Sequence, residues 1–302
     1  MAGWSAILLD ITGQALHEIL LSANINGKHL VIAFTGLSAI AAALAGAGGM
    51  RLVSDLSAPV LLLLCAWIGH VLAAGCNWPA LLAYPPDGSF SPSRAFDMVV
   101  GGTIAGAFVS SDLSRFARSR TTWGLGVTIG TLPVTVILAL LGMAAQIATG
   151  SWNPVKVVNS LGMGIPSLFF LIFSAWTTSQ VSLYSGGLAL ANLLPRLDRR
   201  AGTLLLGLLS TALALAGVAE HFEGWLLLLN YLFIPLVGVL AAEILFPAPR
   251  PNTPAVSWPA LAAVAAGSLA QTVEAPLPNT VISLAAAAGV YLLLSRSQFF
   301  RR

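Results

Sequence analysis

Charge is what this sequence lacks. Only 8% of its 302 residues are Asp, Glu, Lys or Arg, against about 25% in a soluble globular chain. Apolar residues make up 57%, and the mean hydropathy is +0.87. A surface so poor in charge would aggregate in water, which excludes an ordinary soluble domain and makes lipid the solvent for most of the exterior. Cysteine is scarce as well. Cys65 lies inside an apolar run and Cys76 near its end, with no metal-ligand spacing between them. His17, His29, His70 and His221 fall in unrelated places and no HExxH occurs, so no metal site is expected. The basic residues that give the formal charge of +3 do not cluster on one face, which argues against a nucleic-acid partner.

What the chain does have is long hydrophobic runs. A membrane helix needs about 20 mostly apolar residues, and ten stretches qualify, near 4–24, 29–49, 52–75, 95–112, 123–149, 162–193, 201–219, 224–246, 256–272 and 278–295. The run 162–193 is too long for one straight span and is expected to tilt or break. If the spans alternate, 11 of the 14 basic residues (Arg51, Arg115, Arg118, Arg120, Arg196, Arg199, Arg200, Arg250, Arg296, Arg301 and Arg302) collect on one side. Lys28, Arg94 and Lys156 collect on the other. Basic residues are retained in cytoplasmic loops, so the richer side is cytoplasmic; the expected place is the cell inner (plasma) membrane, with both termini cytoplasmic. The loop 76–94 is the longest polar stretch and falls outside; its prolines suit an ordered lid or turn, and its Trp78 and Tyr84 suit an interface. The expected architecture is a single all-α, polytopic helix bundle over 1–302.

Three stretches break the apolar pattern. In residues 97–112, DMVVGGTIAGAFVSSD, Gly101 and Gly102 stand in tandem before Thr103 and Gly106. This fits close helix packing through small residues. It also fits an unwound helix that bares backbone groups beside a cavity, as transporters use. In residues 173–196, Ser174, Thr177 and Thr178 place three hydroxyls on one helix face. They suit a small hard cation such as sodium, or they bond back to the helix's own carbonyls. The first span carries Asp10, Gln14, His17 and Glu18; such groups are costly at a helix centre and should face the bundle interior or a water-filled path. An intramembrane enzyme built on Asp10, His17 and Glu18 lacks a nucleophile or metal motif. Asp112 and Arg115, three apart, read as a salt bridge or a gating latch where the fourth span ends.

At these residues the sequence resembles the nucleobase–cation symporter-1 family, in its bacterial cytosine permease branch. The stretch VVGGTIAGAFVSSDLSRFARS (99–119) is similar to the family's sixth helix and its D-x-x-R-F-x-R exit, here Asp112, Arg115, Phe116 and Arg118. SAWTTSQVSLYSGGLALANLL (174–194) is similar to the eighth helix, with Ser179-Gln180 where the pattern has N-D. GWLLLLNYLFIPLVGVLAAEILF (224–246), with Pro235, Gly238 and Glu243, resembles the tenth, Gly3-Trp4 the start of the third, and SAPVLLLLCAW (57–67), more weakly, the fifth. The resemblance covers nearly the whole chain in order.

The resemblance implies an inverted five-helix-repeat transporter fold of which the first two helices are absent from this chain. It implies that Trp4 stacks on a flat base, that Gly101, Gly102 and Thr103 offer backbone hydrogen bonds, and that Ser179 and Gln180 lie near the substrate. Ser174, Thr177 and Thr178 would contribute to a sodium site. Thr103 stands where an aromatic is usual. The implied function is a permease for cytosine or a related nucleobase, coupled to sodium or a proton and working by alternating access, with no cofactor beyond a coupling sodium ion. A permease for hydroxymethylpyrimidine or another thiamine precursor is the alternative within transport. A non-transporting truncated remnant or a partner subunit is the alternative outside it.

Overall fold

The computed structural model describes residues 1–75, 78–79, 83–84, 91–114, 117–247, 257–273 and 276–296, and the regular elements among them are helical. In chain order these are α1 (Ala2–Ser22), α2 (Lys28–Leu44), α3 (Ala47–Gly75), α4 (Pro92–Ser114), α5 (Arg120–Gly130), α6 (Leu132–Thr149), α7 (Pro154–Ser160), α8 (Gly164–Leu193), α9 (Arg199–Leu215), α10 (Phe222–Leu245), α11 (Trp258–Ala270) and α12 (Asn279–Arg296). A 3-10 turn, Val218–His221, joins α9 to α10. Every expected span falls on a helix. On length and composition alone, four stretches among the described residues suffice to cross a membrane: Asp55–Gly75, Arg120–Thr149, Val218–Leu245 and Asn279–Arg296. Most of the loop 76–94, where a lid or turn is expected, lies outside the described residues.

Two boundaries depart from expectation. The run 123–149 is two helices that meet at Thr131, because Pro133 has no N–H to give to the carbonyl four residues before it. The run 162–193 does not break inside. α8 is continuous for 30 residues, about 45 Å at 1.5 Å per residue, and the interruption precedes it, where Gly162 and Gly164 take φ of 67° and 68° between α7 and α8.

The helices form two compact units. The first comprises Met1–Pro85 and Asp112–His221, the second Pro86–Ser111 and Phe222–Arg302. In the first, α1, α2, α8 and α9 pack around Ala6, Leu9, Ile32, Ala39, Ile40, Leu183 and Leu206. Lipid tails are as apolar as leucine, so helices in a bilayer adhere by close packing at small residues. α8 and α9 meet in this way at Gly187, where an added Cβ would lie 2.1 Å from Thr203 Oγ1. Arg199 at the start of α9 donates to the Ala43 and Leu44 carbonyls that end α2, at 3.3 Å each. Its guanidinium carbon also stands 5.1 Å from the Tyr184 ring centroid of α8.

The second unit packs α10, α11 and α12 around Val239, Ala242, Ala263, Ala287 and Tyr291. Pro235 lies inside α10 without ending it. A proline there cannot donate to the carbonyl of Tyr231, four residues earlier, and lipid offers no replacement. Ser268 of α11 donates to that carbonyl at 3.2 Å.

Candidate functional site

In the first unit, the candidate residues lie on two helices that pack against each other, α1 and α8. Trp4 is half-buried near the start of α1, while Ser179 and Gln180, midway along α8, are buried at 0% and 1% exposure. The hydroxyl face forms as spaced, and its hydroxyls also bond back. Thr177 and Thr178 both donate to the Ser174 carbonyl at 3.0 Å, and Ser179 donates to the Ala175 carbonyl at 2.8 Å. Such a hydroxyl spends its proton on the backbone and keeps its lone pairs, so it can still accept from a ligand or coordinate a cation. Thr177 is buried, Ser174 half-buried and Thr178 exposed.

Gln180 stands out on this face. Its Nε2 is buried and has no hydrogen-bond partner among the described residues, as is also true of Ser5 Oγ on α1. Buried polar groups are paired in the large majority of cases, and an orphan donor asks for an explanation such as a ligand. Trp176, on the same helix, is tied down instead: its indole N–H donates to Ser38 Oγ at 3.0 Å.

The ionisable span behaves as its spacing suggests. Asp10 is 2% exposed and accepts from Gln14 Nε2 at 3.1 Å, and Asn153 Nδ2 donates to Gln14 Oε1 at 2.8 Å. Asn153 Oδ1 in turn accepts the N–H of Val155 at 2.9 Å, capping α7. Gln14 and Asn153 line a cavity of about 360 Å³ together with His17, Lys28, Trp152 and Glu220. No group of three metal-ligating side chains occurs among the described residues.

The glycine pair belongs to the second unit, and here the structure corrects one reading. α4 runs as continuous helix through Gly101, Gly102 and Thr103, so their backbone groups lie within the helix and no unwound segment forms. Close approach explains Gly101, since an added Cβ would meet the Leu226 carbonyl oxygen at 2.1 Å. Thr103 Oγ1 donates back to the Val99 and Val100 carbonyls at 3.1 Å. The Asp112–Arg115 latch lies outside the described residues in its essential part: Arg115 is not described, nor is the side chain of Asp112.

Reading the sequence missed a polar cluster in the same unit. Asp97 of α4 is 3% exposed and accepts the backbone N–H groups of Asn279 and Thr280 at 3.0 and 2.9 Å, and the Thr280 hydroxyl at 2.7 Å. Asn230 of α10 donates to the Asp97 carbonyl at 3.0 Å and to Thr280 Oγ1 at 2.8 Å. The cluster borders a cavity of about 500 Å³ lined also by Arg94, Tyr231, Gln271 and Asn279, and Arg94 pairs with Glu223 at its rim. The one available signal was an acid within an apolar span.

Comparison with known proteins follows the same lines. A family model described as "Permease for cytosine/purines, uracil, thiamine, allantoin" matches residues 23–248. The cytosine permease of Escherichia coli (strain K12) is 26% identical over 248 residues, which are 79% of this chain and 58% of that protein. The hydantoin permease of Microbacterium maritypicum is 25% identical over 221 residues, 64% of this chain and 44% of the relative. This chain therefore spans about half the length of these relatives. The solved structure of Mhp1, a nucleobase-cation-symport-1 family transporter in a closed conformation with bromovinylhydantoin bound, superposes with a TM-score of 0.80 at 20% identity. The match covers 98% of this chain and 73% of that one, and it establishes the fold.

Proposed function

Because the chain belongs to the nucleobase–cation symporter-1 family of permeases for cytosine and purines, uracil, thiamine and allantoin, we propose that it is a secondary active permease for cytosine or a related nucleobase, coupled to sodium or a proton. The family is one of membrane transporters and not of enzymes. The observation that carries the reading is the amide nitrogen of Gln180, which has no partner among the described residues and is buried at 1% exposure beside Ser179. A buried N–H₂ without an acceptor suits the ring carbonyl of a neutral heterocycle, and a site with such a group rejects analogues that leave it unpaired. Trp4 supplies the aromatic face, and stacking a base on it contributes about 1–3 kcal/mol. Ser174, Thr177 and Thr178 supply oxygens with free lone pairs for a coupling cation. The split of 11 basic residues against 3 between alternate loops supports an inner-membrane protein with both termini cytoplasmic.

The test is uptake of radiolabelled cytosine by cells that lack their own permease and express this chain, with unlabelled hydantoin, uracil and hydroxymethylpyrimidine as competitors. Gln180→Leu should lower the apparent affinity by about tenfold, for a hydrogen bond of about 1–1.5 kcal/mol. Uptake of none of these compounds by the wild type would remove the substrate assignment. Unchanged affinity in Gln180→Leu would remove Gln180 from the site.

A further inference from the structure

Two carboxyl groups are buried to nearly the same depth, Asp97 at 3% exposure and Asp10 at 2%, and their surroundings differ in kind. Asp97 accepts from two backbone N–H groups at the start of α12 and from the Thr280 hydroxyl. Two donors at a helix N-terminus and a hydroxyl thus satisfy the oxygens of that carboxyl group. Asp10 accepts a single hydrogen bond among the described residues, from the neutral amide of Gln14. It stands near the middle of α1. A carboxylate anion at such a place is expensive unless a cation or a proton neutralises it.

Among the described residues, no cation of the neighbouring elements is paired with Asp10. α8 carries no Asp, Glu, Lys, Arg or His. α9 carries only Arg199 and Arg200 at its start, and Arg199 is engaged with the end of α2. α2 begins with Lys28 and His29, the 3-10 turn ends with Glu220 and His221, α7 contributes Lys156, and α1 itself has His17 and Glu18. None of these groups forms an ion pair with Asp10 among the described residues. A polar cavity comes close, however. Gln14, the partner of Asp10, lines the cavity of about 360 Å³, so one side chain separates the carboxyl from that space.

We propose that Asp10 is the proton-binding group of the transport cycle. Its carboxylate takes a proton from hydronium in the cavity beside Gln14, forming a neutral carboxylic acid and leaving water. It returns the proton to water when the opposite side of the membrane becomes accessible. Nothing is oxidised or reduced. This inference rests on the permease reading and deepens it by naming the coupling ion and the residue that carries it.

Two measurements on the full chain in liposomes test it. The first is the infrared carbonyl stretch of a protonated carboxyl, followed as pH is varied, in wild type and in Asp10→Asn. A band that titrates with pH in the wild type and is missing from Asp10→Asn is expected; identical spectra overturn the proposal. The second is accumulation of radiolabelled cytosine without sodium under an inward proton gradient. One pH unit supports up to about tenfold accumulation at one proton per substrate. Asp10→Asn should equilibrate cytosine without concentrating it, and Asp10→Glu should concentrate it again. Accumulation by Asp10→Asn equal to wild type, or accumulation by the wild type that requires sodium and ignores pH, overturns the proposal. If the wild type exchanges no labelled nucleobase at all, the permease reading fails, while the infrared measurement still decides whether Asp10 holds a proton.

Discussion

Replacing Asp97 with alanine removes the acceptor for three donors at once: the N–H groups of Asn279 and Thr280, and the Thr280 hydroxyl. An N-cap lost to alanine costs about 1 kcal/mol, and a hydrogen bond to a charged group contributes about 1.5–3 kcal/mol. Part of the loss is recovered, because Asn230 remains beside the Thr280 hydroxyl, with its Oδ1 at 3.2 Å. A net local loss of about 2–3 kcal/mol at the start of α12 is therefore expected. Amide hydrogen exchange of the protein in lipid nanodiscs reads this directly. If local opening governs exchange there, amides in a peptide covering the start of α12 should exchange about 30–150-fold faster, since each 1.4 kcal/mol is a factor of ten. Asp97→Asn keeps an acceptor oxygen and loses the charge, so it should fall between wild type and Asp97→Ala. Exchange within about twofold of wild type in Asp97→Ala, where tenfold corresponds to 1.4 kcal/mol, would refute the assignment of Asp97 as the cap of α12.

Three further outcomes follow from other contacts. Trp4→Ala should weaken cytosine affinity by about 5–150-fold, the equivalent of about 1–3 kcal/mol of stacking, in the uptake assay; unchanged affinity removes Trp4 from the substrate. Gly187→Ala places a methyl against Thr203 and should destabilise the α8–α9 contact by about 1–3 kcal/mol, read as a lower midpoint in thermal denaturation in detergent. Ser268→Ala strips the replacement donor from the Tyr231 carbonyl and should cost about 1 kcal/mol by the same measurement, whereas Ser268→Thr should restore it.

Much of this arrangement is legible in the sequence because lipid constrains the chain so strongly. Apolar runs must be helical, and each expected span is, with 123–149 divided in two at Thr131. The four-residue spacing of Asp10 and Gln14 predicts a shared face, and a hydrogen bond joins them. The hydroxyl face at Ser174, Thr177 and Thr178 likewise forms as its spacing requires. What escaped depends on distant partners. Asp97 looks like one more costly acid until it meets residues 182 and 183 positions away. Gly101 suits both a broken helix and a close approach, and only the arriving Leu226 carbonyl decides between them. The relay through Asn153 is hidden for the same reason, since 139 residues separate it from Gln14.

The guanidinium of Arg199 serves three masters. It holds two carbonyls that terminate one helix, starts a second helix, and rests over an aromatic ring of a third. A planar fork can satisfy all three simultaneously, and an ammonium cannot. Shearing any one of these helices along its neighbour would tear the fork from at least one contact, so the trio should travel as a rigid block, with whatever bending the protein does displaced to the joints at its margins.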